Sequence, residues 1–335
     1  MKKIKIAQIG TSRNSHGQTI FKTLAGKSDI FEVVGYALPE NEREKFPEAM
    51  SAFDGYSEMS VDEILNNPEI EAVAIETEEI YLTKYAIAAA ERKKHLHMEK
   101  PGGNDLREFE KLICLVKENH LVFHVGYMYR YNRAVIDLLS QVKSGEIGEV
   151  ISVEAGMNCH HPAEVRDWLK TFKGGMMFFL GCHLIDLILK IQGKPERIIP
   201  LNKNSGFGGS GEDFGMAVLE YKNGVSFAKT AAVELGGFAR RQIVVTGSKK
   251  TVEIKPIEMY SDPCGSDTVY AEKTEYSAPG WLEFGTKSRS EVFHRYDAMM
   301  SSFAEFVRGD RVNPNTPDYE LELYKTLLEC CGQSV

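Results

Sequence analysis

Nowhere do the 335 residues of this chain run to the roughly 18 uninterrupted apolar positions of a membrane-crossing helix. The apolar part of the opening MKKIKIAQIGTS is too short and too alternating for a signal peptide. Six cysteines, at 114, 159, 182, 264, 330 and 331, form neither a C-x-x-C pair nor a secreted framework, so reduced thiols in a cytoplasmic protein are expected. Basic stripes interleaved with aromatics are missing, and the net charge of -8 argues against a sequence-independent nucleic-acid partner. His160 with His161, and His95 with His97, have no further ligands at a recognised spacing, which argues against a metal. No internal repeat or low-complexity linker interrupts the chain. These exclusions point to a small-molecule ligand, with no nucleic acid and no membrane.

What the chain does contain is material for a substantial core. Hydrophobic residues make up 43% of it, and at about 150 residues per domain its length predicts two domains. Strands are expected at IKIAQIG, FEVVGYAL, EAVAIET and HLHME, with helices at QTIFKTLA, LTKYAIAAAERKK and LREFEKLICLVKEN. Such alternation predicts a doubly wound parallel sheet with helices on both faces. From residue 149 onward strands dominate: VISVEAGM, RIIPLN, FGMAVLEYKNGVSFAKTAAV and RRQIVVTGSKKTVEIKP, turning at Asn223-Gly224 and at Gly247-Ser248-Lys249. The expectation is an α/β domain over 1–125 and, over 126–335, an α+β domain with an open, mainly antiparallel sheet. Helices near 295–309 and 319–331 close the chain and are free to pack back on the first domain.

Three places carry chemistry. Gly10 ends the first strand, where a tight turn toward a helix N-terminus favours a pyrophosphate. The glycine fingerprint is incomplete: Ser12 replaces the second glycine, followed by Arg13, Asn14, Ser15, His16 and Gly17, and a plain polar loop is the alternative. Where the second strand would offer a carboxylate to the adenosine ribose stands Leu38, with Glu40 just beyond and Arg43 and Lys45 further on, which leaves NAD and NADP undecided and leaves room for no dinucleotide at all. HLHMEKPGG sets Glu99 and Lys100 at the C-terminal edge of the sheet, where parallel sheets bind ligands; a surface ion pair beside a turn is the alternative. The apolar segment 174–193, GGMMFFLGCHLIDLILKIQG, reads as one helix with Phe179, His183, Asp186 and Lys190 along a single stripe.

EKP at 99–101 together with GG…GCHLID at 174–186 resembles the Gfo/Idh/MocA family, the oxidoreductases related to glucose-fructose oxidoreductase and inositol dehydrogenase. The likeness runs almost end to end: VGYMYRYN, GEIGEVISVEAG and FAEFVRGDRVNPNTPDYELELYKTLLECCG are similar to the family's later segments. The resemblance implies a Rossmann domain, an open antiparallel sheet domain, NAD or NADP, a substrate pocket between the two, and a homodimer or homotetramer formed through the open sheet. It implies Lys100 as the catalytic lysine and His183 as the base or acid. Gly10, Ser12, Arg13, Asn14, Ser15, Thr77, Glu99, Lys100 and Trp168 would contact the cofactor, and Phe179, Asp186, Tyr129 and Arg130 the substrate. Trp168, Tyr129 and Arg130 also read as packing or ion-pair residues.

Departures from the family pattern are part of the reading. Phe179 stands where dehydrogenases of the family commonly carry an aspartate, and Glu78 and Glu79 replace a usual proline and asparagine. The expected activity is hydride transfer between a nicotinamide cofactor and a sugar, cyclitol or related polyol. The alternatives are a non-catalytic dinucleotide or sugar sensor and a redox-neutral hydrolase that uses NAD transiently.

Overall fold

Strand β1 (Ile4–Ile9) is closed to solvent along nearly its whole length, with Ile4, Ile6, Ala7 and Ile9 buried, the pattern of a strand sandwiched between helix layers. In the computed structural model, which describes residues 2–14, 16–262, 267–281 and 283–335, it begins a regular alternation. Helix α1 (Gly17–Gly26), β2 (Phe31–Ala37), α2 (Glu42–Lys45), α3 (Val61–Asn66), β3 (Ala72–Ile75), α4 (Leu82–Glu91), β4 (His95–Met98), α5 (Leu106–Glu118) and β5 (Phe123–Val125) follow. The strands form a parallel sheet in the order β2-β1-β3-β4-β5. The order in which strands are added therefore reverses at β1, with β2 on one side and β3 to β5 on the other, which opens a crevice at the C-terminal ends of β1 and β3.

Local chemistry sets the helix limits. Ser60 and Glu63 form a reciprocal capping box at the start of α3, and the Asp105 carboxylate accepts from the Arg107 and Glu108 amides at the start of α5. The apolar face of α5, Phe109, Leu112, Ile113 and Val116, repeats at the helical period and is buried.

The second part contains α6 (Arg133–Ser144), β6 (Val150–Asn158), α7 (Ala163–Trp168), a π-helical turn (Met177–Gly181), α8 (Cys182–Gln192), β7 (Arg197–Lys203), β8 (Phe214–Tyr221), β9 (Gly224–Ala231), β10 (Gln242–Gly247) and β11 (Thr251–Ile254). Short strands β12 (Met259–Tyr260), β13 (Thr268–Tyr270) and β16 (Phe293–His294) make a small sheet; β14 (Glu272–Tyr276) and β15 (Thr286–Arg289) join the large one. That sheet runs β15-β14-β11-β10-β6-β9-β8-β7 and is antiparallel except for the β6–β9 pair. Helices α9 (Asp297–Arg308) and α10 (Pro317–Cys330) end the chain.

Contacts divide the chain into two compact units, Met1–Tyr127 with Tyr296–Tyr324, and Met128–Arg295 with Lys325–Val335. Within the first unit, Tyr324 stacks on Phe109 at 4.2 Å and Phe303 stacks on His124 at 5.4 Å. No disulfide joins Cys114, Cys159, Cys182, Cys330 and Cys331, and Cys264 lies outside the described residues. Among the described residues no helix is long and apolar enough to cross a membrane.

Two local expectations need correction. The turn between β8 and β9 is Lys222-Asn223, because Tyr221 already pairs with Gly224. Gly224 belongs to the strand, where a Cβ would lie 1.8 Å from the Ile151 carbonyl oxygen. The segment 174–193 is also not one uniform helix: its first turn is wound as a π-helix, which rotates Phe179 relative to the α-helical residues after it.

Candidate active site

The ends of β1 and β3 approach so closely that only glycine fits between them. Gly10 has φ +88°, and a Cβ on it would fall 2.3 Å from Thr77 Cγ2 and 2.8 Å from the Thr77 backbone. Gly17, at the start of α1, would carry a Cβ 3.1 Å from that of Glu76, so α1 also needs a small residue to seat on the end of β3. Between these glycines Thr11 and Ser12 are buried, and their hydroxyl oxygens have no hydrogen-bond partner. The Thr11 amide donates to Glu42 Oε2 at 3.1 Å, while Glu42 Oε1 is buried and unpartnered. Burial pushes the Glu42 carboxyl up to about 9, against the opposing pull of the Thr11 hydrogen bond. Buried polar atoms without partners call for a ligand that supplies them. A phosphate and a ribose hydroxyl fit this set of two hydroxyls, an amide loop and a carboxyl.

Arg13 is exposed; its guanidinium lies 5.7 Å above the Phe46 ring and donates to the Lys45 carbonyl at 3.5 Å. Asn14 is half-buried, and Ser15 lies outside the described residues. Glu42 carries no signal in the sequence, where it stands among Glu40, Arg43, Glu44 and Lys45 at no motif spacing. Only the fold-back of α2 after β2 delivers that side chain to the loop.

Further along the same edge, β4 ends at Met98 and is followed by Glu99 and Lys100, both 4% exposed, with Lys100 Nζ 3.5 Å from Glu99 Oε1. The turn after them is held from two sides: the Gly103 amide donates to Thr83 Oγ1 at 2.7 Å, and the Tyr324 hydroxyl donates to the Gly103 carbonyl. Thr77 is buried, its hydroxyl donating to the Glu78 carbonyl at 3.3 Å. Glu76 and Glu79, fully buried, complete this edge. Burial raises Glu76 to about 8, and Glu79 and Glu99 to about 7, with the Lys100 charge opposing the rise in each case. His97 sits 3.4 Å from Glu76 through Nε2 and 2.8 Å from His124 Nδ1 through its own Nδ1; burial holds it down at about 4, hence neutral.

In the second unit the π-turn and α8 present His183, 4% exposed, edge-on to the Tyr129 ring at 5.0 Å. The Tyr129 hydroxyl is bound to Glu258 and accepts from Arg241 at 3.1 Å. Arg295 grips the same glutamate through Nε and Nη2, each at 2.8 Å. Burial would raise Glu258, but the Arg295 and Arg241 charges and the Tyr129 hydroxyl outweigh it and hold the carboxyl below its usual range. Arg130 grips Asp186 in a fork, Nε to Oδ2 at 2.9 Å and Nη2 to Oδ1 at 2.8 Å, with both side chains buried. Tyr129, Arg130 and Asp186 are thus engaged with protein partners. Glu258, Arg241 and Arg295 carried no sequence signal, since their separation along the chain matches no motif. Phe179, expected to contact the substrate, is 4% exposed and packs with Cys159, Leu169, Met176 and Ala232. Trp168, half-buried, meets it edge to face at 5.2 Å.

Comparison with known proteins identifies the family. The family described as "Oxidoreductase family, NAD-binding Rossmann fold" matches residues 4–127, and the GFO/IDH/MocA C-terminal domain matches 136–253. The chain is 28% identical to the uncharacterized oxidoreductase ORF334 of Rhizobium meliloti over 75% of its own length and 74% of that protein. It is 28% identical to the uncharacterized oxidoreductase YhhX of Escherichia coli, over 41% of this chain and only 40% of that protein. The scyllo-inositol 2-dehydrogenase (NAD(+)) of Bacillus subtilis is 32% identical over 37% of this chain and 35% of its own. Among solved structures, the WlbA dehydrogenase of Bordetella pertussis, in complex with NADH and UDP-GlcNAcA, superposes with a TM-score of 0.77 at 17% identity, covering 100% of this chain and 98% of that one. A parallel sheet with a glycine-ended first strand, EKP at the end of its fourth and GCHLID in the following unit, matched over both halves, make this chain a divergent member of the Gfo/Idh/MocA family of NAD(P)-binding oxidoreductases.

Proposed function

We propose that the protein transfers a hydride between NAD or NADP and a secondary alcohol of a sugar, cyclitol or related polyol. The observation that carries this reading is Lys100, an ammonium kept among buried carboxyls at the ligand-binding edge of a dinucleotide-type sheet. The loop of Gly10, Ser12, Arg13, Asn14 and Ser15 holds the pyrophosphate, and Thr77, Glu99 and Trp168 attend the remainder of the cofactor. Bound nicotinamide supplies the hydride acceptor or donor at its C4. Lys100 stabilises the developing alkoxide, an effect that grows where water is excluded. His183 takes or returns the hydroxyl proton, the role in which an imidazole is the commonest side chain. Tyr129, its hydroxyl anchored by Glu258 and Arg241, fixes the plane of the His183 ring and is a positioning residue. Relatives named as inositol and levoglucosan dehydrogenases favour a polyol-like substrate. A homodimer or homotetramer through the open sheet accords with Ile151, Leu201 and Val225, strand residues that are 43%, 44% and 51% exposed.

Titration with NADH and NADPH, followed by a panel of cyclitols and sugars as substrates, tests the reading. Lys100→Met should lower turnover by about a hundredfold or more with cofactor affinity within a few fold, because an ion that acts on the alkoxide matters most in the transition state. Binding of neither cofactor at millimolar concentration rejects the enzyme. A sensing role is favoured by the apolar Phe179 at the family's aspartate position; it gains if cofactor binds tightly while no polyol is oxidised.

A further inference from the structure

The carboxyls around Lys100 outnumber the charge that Lys100 offers them. Both oxygens of Glu76, both of Glu79 and Oε1 of Glu99 are buried without a hydrogen bond. Lys100 acts on all three, whereas His97, the imidazole facing Glu76 and Glu99, is neutral and linked onward to His124. Glu79 faces Glu99 and Glu78 besides Lys100, and Glu78 lies 3.8 Å from Lys45. Three ionised carboxylates sharing one ammonium in a buried setting would be strongly unfavourable. The cluster therefore retains protons near neutral pH, as a coupled set and not as one titrating residue.

Its place in the sheet says what relieves it. A dinucleotide lies across the crevice beside β1 with its adenosine toward the end of β2, so its other half falls over the ends of β3 and β4. The cluster stands there. The oxidised nicotinamide ring is a cation and the reduced ring is neutral. A neighbouring cation favours the ionised carboxyl, and a neutral ring leaves it protonated.

We infer that Glu76, Glu79 and Glu99 form a proton-holding set that releases a proton to solvent when the oxidised cofactor binds and keeps it when the reduced cofactor binds. This rests on the oxidoreductase reading above. It makes the first unit's preference between cofactor forms depend on pH: raising the pH strengthens the oxidised form relative to the reduced one. The glutamates at 76 and 79 are positioning residues that act through charge.

Calorimetric titration of the intact chain with each cofactor form, in phosphate and in Tris at pH 6, 7 and 8, counts the protons exchanged. The oxidised form should release a measurable fraction of a proton near pH 7 that the reduced form does not. The ratio of the oxidised to the reduced Kd should fall with pH, by up to about tenfold per unit for one linked proton. Glu76→Gln and Glu79→Gln, singly and together, should reduce the release and flatten the ratio, with affinity for the reduced form within a few fold. Equal proton counts for the two forms on the unaltered chain overturn the inference without any variant, as does undiminished release from a folded double variant. Binding of neither form rejects the oxidoreductase reading itself, so the two failures are distinguishable.

Discussion

Glu42 and Phe179 show what one side chain decides here. Glu42 meets the loop amide of Thr11 at the end of the sheet where the adenosine ribose would lie, and its carboxyl is pushed up to about 9. A 2′-phosphate dianion there would face a group that already resists ionising. The nearby cations are engaged elsewhere: Arg43 with Glu58 and Tyr36, Lys45 with Glu78. NADH should therefore bind more tightly than NADPH, and Glu42→Ser should narrow the gap by about fivefold, the order of one hydrogen bond between neutral groups. An unchanged affinity ratio in a fluorescence titration would reject that assignment. Phe179 is enclosed by Cys159, Leu169, Met176, Ala232 and Trp168. Phe179→Asp should destabilise the second unit by about 3–5 kcal/mol, the range for losing a buried aromatic, with a burial penalty for the carboxyl in addition. A melting midpoint within a degree or two of the native value would show that the ring is not needed there.

At the scale of elements, apolar periodicity located most strands and helices of the parallel sheet, and EKP and GCHLID marked Lys100 and His183. The register within two elements stayed hidden. Phe179 and His183 are four apart, which is one α-helical turn, but the π-turn at Met177–Gly181 breaks that relation. No spacing rule announces a π-turn. Asn-Gly is the favoured hairpin pair, yet in this hairpin the glycine is taken up by the strand, since its missing side chain makes room for Ile151 of β6. Gly224→Ala should accordingly loosen the β6–β9 pairing and cost about 1–3 kcal/mol, the range for overpacking; a circular-dichroism melt that matches the native one would contradict this. The links of Tyr129, Arg130 and Asp186 were illegible for another reason: Tyr129 meets Glu258 and Arg241, and Arg130 meets Asp186, across long stretches of sequence that no motif spacing connects.

For the whole molecule, four buried glutamates shape stability against pH. Glu42, Glu76, Glu79 and Glu99 all have folded values above the ordinary carboxyl value of 4.5. Between that value and their folded ones the native state holds more protons than the unfolded chain, so their contribution is fully present at the acid end and is lost as pH rises through about 7 to 9. His97, lowered to about 4, works the opposite way, as do His95 and His161, which burial also lowers. But an imidazole at about 6.5 when unfolded has given up most of its proton early on the way from pH 6 to pH 8, whereas the four glutamates titrate across the whole interval. The cofactor-free protein should therefore melt at a lower temperature at pH 8 than at pH 6, and Glu76→Gln should reduce the difference. A midpoint that rises over that interval would show that other groups dominate.

The first unit also begins and ends far apart in time. Its sheet is complete once β5 has been made, but Phe303 against His124, Tyr324 against Phe109 and the Arg308 hydrogen bond to the Ile30 carbonyl at 3.2 Å come from residues synthesised only after 128–295. A ribosome must produce residues 128–295, most of the second unit, before the first can close over its own aromatic surface. A chain released early, by a nonsense codon before residue 296, would expose that surface permanently and give proteases and chaperones a mark by which to know it as unfinished.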